Sequence, residues 1–135
     1  AVMAPDHPLA ARESVRVAEL ANEPVCLPDR TFGIRHLMDH AVKAGPIELN
    51  VRLTTNSIEM LRQFALQGMG LAFLPAYAFE REAQAGALVG VPLADAGLRV
   101  TVTQFCRHAE IELAPAAQTL MDALIEASGA TRLLP

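Results

Sequence analysis

Apolar and polar positions along this chain follow two periods, and the elements can be read from where one gives way to the other. Ile34, Leu37, Met38, Ala41 and Val42 recur at spacings of three and four, which predicts a helix with one apolar stripe. Arg35, His36, Asp39, His40 and Lys43 fall on its other face, and Gly45 followed by Pro46 is a stop signal. The period then changes to two. In "IELNVRLTT", residues 47–55, Leu49, Val51 and Leu53 alternate with Glu48, Asn50 and Arg52, which predicts a strand with one dry and one wet face. "NSIE", residues 56–59, opens the next helix in the manner of a capping box, with Asn56 as the cap and Glu59 three residues on. Ile58, Leu61 and Ala65 are expected to face inward, Glu59, Arg62 and Gln63 outward, and Gly68 ends the helix.

The next stretch, "QGMGLAFLP" at residues 67–75, reads as a helix end, a tight turn, a short strand and a new helix start. "LAFL" is apolar on both faces, as a strand inside a helix-covered parallel sheet must be. Pro75 fits the first position of a following helix, which Gly86 closes. Ala1–Ala4 predicts a short strand ended by Pro5, and Val15–Ala21 one or two helical turns. "PVCLP", residues 24–28, is a buried strand between prolines. "ALVGVPL" predicts a short strand, and "LRVTVTQFC" a longer one with Leu98, Val100, Val102 and Cys106 on one side. The last helix begins near Pro115 and carries Leu113, Ala116, Ala117, Leu120, Met121, Leu124 and Ile125 as a stripe, before a loose tail. Strands and helices alternate through short connections, so the expected class is α/β, a largely parallel sheet flanked by helices.

Composition narrows the function classes. At 135 residues the chain is one domain in size, and 52% apolar with 19% charged residues makes it globular. A net charge of −4 with no cluster of Lys and Arg argues against a nucleic-acid surface. No apolar run is long enough to span a membrane, and the start lacks the basic region of a signal peptide. Cys26 and Cys106 lie far apart inside apolar runs and read as buried free thiols of a cytosolic protein rather than a disulfide. "AVMAP" reads as the end of a strand already in progress, so the expectation is a fragment whose N-terminal portion is missing.

Candidate chemistry is sparse. His36 and His40 have a zinc-compatible spacing, but a third ligand is wanting and both fall on a polar helix face. Cys106 and His108 share a strand face, yet no third group orients them as a nucleophile and base. Ser57 lacks a G-x-S-x-G frame and sits at a helix start, where free N–H groups favour an anion such as a carboxylate. Gly68 and Gly70 are spaced as G-x-G, but a dinucleotide fingerprint runs strand, glycines, helix, and here the order is reversed. Arg30, at the end of the "PVCLPD" strand, can pair with nearby acid or meet an acidic ligand. No catalytic residue, metal ligand or cofactor is expected.

The order of these pieces resembles the effector-binding domain of LysR-type transcriptional regulators. The pattern [AQ]-G-x-G-[IL]-[AG]-x-[LV]-P of that family is similar to Gln67–Pro75, "HPLA" at residues 7–10 to the segment after its first inter-subdomain crossing, and residues 86–93 to G-x-L-V-x-V-P-L. The resemblance implies a type II periplasmic-binding-protein-like fold. Residues 1–4 would be a crossing strand from a missing subdomain I, 5–107 subdomain II, and 108–135 a return segment with the C-terminal helix of subdomain I. It further implies a small-molecule effector held in the inter-subdomain cleft by Arg30, Thr31 and Phe32, by Thr55, Asn56 and Ser57, and by Leu74, Pro75 and Ala76. The full regulator would be a cytoplasmic homodimer or tetramer that meets DNA only through the missing N-terminal domain, with no membrane. The alternatives are a fragment of a periplasmic solute-binding protein and a small α/β enzyme.

Overall fold

The computed structural model describes residues 1–43, 45, 47–95, 98, 108 and 112–128. The chain divides into two compact units, Ala1–Thr101 and Val102–Pro135. The first holds a five-stranded sheet: β1 (Val2–Met3), β2 (Pro24–Pro28), β3 (Asn50–Thr55), β4 (Leu71–Ala72) and β5 (Val89–Gly90), in the spatial order β3-β2-β4-β1-β5. β2 pairs in parallel with β3 and β4, whereas β1 pairs antiparallel with both β4 and β5. Four strands therefore run one way and β1 alone runs against them, which makes the sheet mixed but mostly parallel.

Helices cover both faces. Helices α1 (Gly33–Lys43), α2 (Ile58–Leu66) and α3 (Glu80–Gln84) belong to this unit, with 3-10 turns at Val17–Leu20 and Ala76–Ala78. Strand alternation divides the core in two. Met3, Val25, Leu27, Leu71 and Phe73 point to one face, where Met38, Ile34, Ala41 and Val42 of α1 and Val17 and Leu20 of the first 3-10 turn meet them. Val2, Cys26 and Ala72, their immediate neighbours in sequence, point to the other, under Leu61, Phe64 and Ala65 of α2. This is why "VCL" and "LAF" read as apolar on every residue.

The glycines end the helices as expected. Gly68 takes φ +64° just past α2, and its N–H and that of Met69 return to the carbonyls of Ala65 and Phe64, a Schellman close. Gly86 repeats this after α3, with its own N–H and that of Ala87 bonded to Ala83 and Glu82.

Three local expectations are corrected. The edge strand β3 does not keep one dry face. Its pairing with β2 shifts between Val25 and Cys26, so that Arg52 is an extra residue between Val51 and Leu53. Leu49 joins the α1-side core, Leu53 the α2-side core, and Val51 is 44% exposed. Ile58, expected inward, is likewise exposed at the start of α2. Pro75 precedes the 3-10 turn at Ala76–Ala78 as its cap rather than opening a helix. The strand expected over 98–106 lies outside the described residues except for Leu98, which packs against the α1-side core. In the second unit, α4 (Pro115–Ser128) forms as expected, its first turn tied by the Thr119 hydroxyl to the Pro115 carbonyl at 3.0 Å.

Candidate functional site

The parallel strands β3, β2 and β4 lie side by side, so their C-terminal ends share one rim of the sheet. Pro28 is level with Thr55 and Cys26 with Ala72. The candidate residues follow those three ends directly. The first two groups are joined: the Asp29 N–H donates to the Thr55 carbonyl at 2.9 Å.

After β2 the chain makes a turn organised by Asp29, whose carboxylate accepts from both the N–H (2.8 Å) and the hydroxyl of Thr31. Those hydrogen bonds, the hydroxyl's first, hold the carboxyl below the usual aspartate range, and the nearby Arg35 guanidinium adds to it. The Thr31 hydroxyl thus spends its proton on Asp29. Arg30 and Thr31 are exposed and Phe32 half-buried. Arg35 anchors this loop from α1, reaching the Pro28 carbonyl at 2.9 Å and Asp39 at 2.7 Å.

The start of α2 departs from the sequence expectation. Ser57, not Asn56, is the cap: its hydroxyl accepts from the Met60 N–H at 3.3 Å, and its own N–H donates to the Thr55 hydroxyl at 3.1 Å. Glu59 turns instead to Arg62 and Gln63, so no capping box forms. Asn56 is exposed. The shift follows from register, because Thr55 is still level with Pro28 in the sheet and the chain needs one more extended residue before it coils. Ser57→Ala is expected to cost about 1 kcal/mol, as lost caps do, and Asn56→Ala almost nothing. Urea midpoints of the two variants check this.

The third group enters a cavity of about 540 Å³. Leu74, Pro75 and Ala76 line one side, with Phe73 and Phe79 beside them. Ile34 lines it from α1, and the stretch Gly90–Ala94, from the last residue of β5 onward, adds a further wall. Among the described lining residues Ser14 is the one with a polar side chain. The cavity thus brings together three of the nine candidate residues. Arg30, Thr31, Phe32, Thr55, Asn56 and Ser57 form a neighbouring stretch of the same rim but do not line it. Sequence reasoning missed the Gly90–Ala94 wall, whose residues carry no charge or hydroxyl to draw notice.

The remaining chemical candidates form no cluster among the described residues. His36 and His40 are exposed on α1, and among the described residues no three metal-binding side chains come together. Cys26 is a free thiol buried under α2, and burial pushes its pKa up to about 11, so it is protonated and unreactive at neutral pH. Cys106 and Arg107 lie outside the described residues. No helix of the described residues is long and apolar enough to cross a membrane.

Comparison with known proteins gives a consistent set. The family described as "LysR substrate binding domain" matches residues 1–129. The chain is 33% identical over 98% of its length to the HTH-type transcriptional regulator CbbR of Xanthobacter flavus, and 30% identical over 96% to CbbR of Cereibacter sphaeroides. It spans only 40% and 42% of those proteins. Among solved structures it is similar to the regulatory domain of CcmR from Synechocystis PCC6803 in complex with 2-PG. That match has a TM-score of 0.72 and 20% identity, over 93% of this chain and 60% of that one. A LysR family regulator from Pseudomonas aeruginosa superposes with a TM-score of 0.69 and 22% identity, over 96% of this chain and 45% of that one. These structural likenesses carry the fold, a type II periplasmic-binding-like α/β architecture.

Proposed function

Because this chain belongs to the LysR substrate binding domain family, we propose that it is part of the effector-sensing half of a transcription regulator. It binds a small molecule without transforming it. The observation that carries the reading is the cavity at the C-terminal rim of the sheet, where open α/β sheets hold their ligands. Its apolar wall would pack the body of a small ligand. The adjoining rim offers Arg30, Asn56 and the helix start at Ser57 to an acid group. A small carboxylate or phosphate ester fits that division, and the 2-PG bound by the similar CcmR domain supports it.

The chain would supply residues 5–107 as one subdomain, with residues 1–4 and 108–135 leading to and from the other. The curated relatives are HTH-type regulators of which this chain spans about two fifths. We therefore assign DNA contact to a separate N-terminal domain of a cytoplasmic homodimer or tetramer. Signalling is a population shift, since an effector that favours one arrangement of the subdomains biases the DNA-bound assembly by its difference in affinity.

The test is a titration of the intact regulator with 2-PG and a panel of small carboxylates, read as a rise in melting temperature. A ligand at a hundred times its Kd stabilises by about 2.7 kcal/mol, a shift of several degrees. Ala76→Glu, which sets a like charge at the exposed edge of the cavity, should weaken an anionic ligand about tenfold or more while leaving the melting temperature of the free protein in place. No response to any member of the panel, or a response that Ala76→Glu leaves untouched, would remove the assignment.

A further inference from the structure

We propose that Ser14 gives this cavity a preference for hydroxylated acids, its side-chain hydroxyl meeting a hydroxyl on the body of the bound ligand. The inference rests on the reading of the cavity as the effector site and adds a ligand class to it. Ser14 is itself a lining residue. Among the described lining residues its side chain alone can hydrogen-bond, the rest being aliphatic, aromatic, glycine or proline. Its hydroxyl has no hydrogen-bond partner among the described residues. Ser14 is also exposed, so the group is open to a molecule that enters.

The position of Ser14 is fixed by its neighbours. Val15 bridges Leu93 in parallel: its N–H donates to the Pro92 carbonyl at 3.0 Å, and its carbonyl accepts from the Ala94 N–H at 2.8 Å. Two residues on, the Val17 N–H donates to the Asp95 carboxylate at 2.8 Å. The segment that carries Ser14 is therefore laced to the Gly90–Ala94 wall of the cavity. Val15 is 1% exposed and belongs to the α1-side core, so Ser14, next to it on extended backbone, turns to the opposite side. The same bonds occupy polar groups of the wall itself, the Pro92 carbonyl and the Ala94 N–H, and the Val91 N–H is taken by the Ala1 carbonyl at 2.7 Å. A polar group on the ligand's body finds the Ser14 hydroxyl free where these are spent.

Arg30, Asn56 and Ser57, which the rim offers to an acid group, lie outside the lining. The acid end of a ligand and the Ser14 hydroxyl are thus separate contacts. A serine hydroxyl both donates and accepts, which matches an alcohol. A ligand with a methylene in place of that alcohol leaves the pair unmade.

The test is a cycle of calorimetric titrations of the intact regulator with malate and with succinate, acids of equal charge and chain length that differ by one hydroxyl. One net hydrogen bond predicts that the parent binds malate about fivefold more tightly than succinate. Ser14→Ala should bind the two acids equally and succinate as the parent does, while Ser14→Thr keeps the preference. A structural role for Ser14 would weaken both acids together and leave their ratio in place. Because the side chain is exposed, both variants should melt with the parent. A parent that binds the two acids within about twofold of each other, or a malate preference that survives in Ser14→Ala, would overturn the inference. The cavity assignment would still stand if that binding is lost in Ala76→Glu. A parent that binds neither acid would overturn the inference, and 2-PG would then decide the cavity assignment by itself.

Discussion

Gly70→Ala is expected to be the most damaging single-methyl change among the described glycines. Gly70 has φ +141°, a backbone conformation that side chains rarely adopt. It also has no room. A methyl group there would overlap the Pro24 carbonyl oxygen, with the carbonyl carbon at 2.8 Å and the Pro24 Cβ at 2.9 Å. The obstacle is mostly backbone, and it belongs to the first residue of β2, the centre of the parallel pairing. Neither strand can retreat without breaking the Val25–Leu71 register. Backbone strain and overpacking together predict a loss of roughly 3–5 kcal/mol. Gly33→Ala is the control, since nothing stands within 4 Å of a methyl group at that position. Chemical denaturation of both variants should give a large drop in midpoint for the first and almost none for the second. Similar midpoints would refute the close-approach account of Gly70.

Phe73→Ala should rank beside it, by a different route. Phe73 is 1% exposed and heads the set of fully buried side chains by size. It belongs to the α1-side core and also forms part of the cavity wall. Truncating a buried phenylalanine costs about 3–5 kcal/mol through lost transfer energy and the void left behind. Here the void would open into the existing cavity, where water can enter from the mouth, so the loss should sit toward the lower end. Phe73→Leu keeps most of the volume and should cost less than half as much. Denaturation of the parent, Phe73→Leu and Phe73→Ala side by side checks the order. Equal stability of the two variants would show that the wall, not the core, sets the role of this residue.

Much of the fold was legible because its physical signals were local. The α1 stripe, the prolines that bracket β2 and the glycines that close α2 and α3 each announce themselves within a few residues. What was not legible depends on partners far away in sequence. Alternation through Leu49, Val51 and Leu53 suggested one dry face, and only the pairing with β2 reveals the extra residue at Arg52. Asn56 and Ser57 are both good caps, and the choice falls to the one that the sheet register leaves free. The reversed direction of β1 has no signature in a two-residue strand. The strand-end candidates around β2, β3 and β4 were named because the family resemblance directs attention to the ends of those strands, where α/β sheets hold ligands. The Gly90–Ala94 wall was not, since its apolar residues look like any other turn into a core.

The placement of β1 has a kinetic consequence. Val2 is paired with Ala72 on one side and Gly90 on the other, so β1 waits for partners some seventy and ninety positions downstream. The β2–β3 pair can assemble from nearby segments, but the sheet cannot be completed from one end to the other in order of synthesis. Loop-closing entropy must be met before those long-range contacts return anything. The rate-limiting step of refolding should therefore be the docking of β1 into a slot already framed by β4 and β5, with the helices formed earlier and waiting.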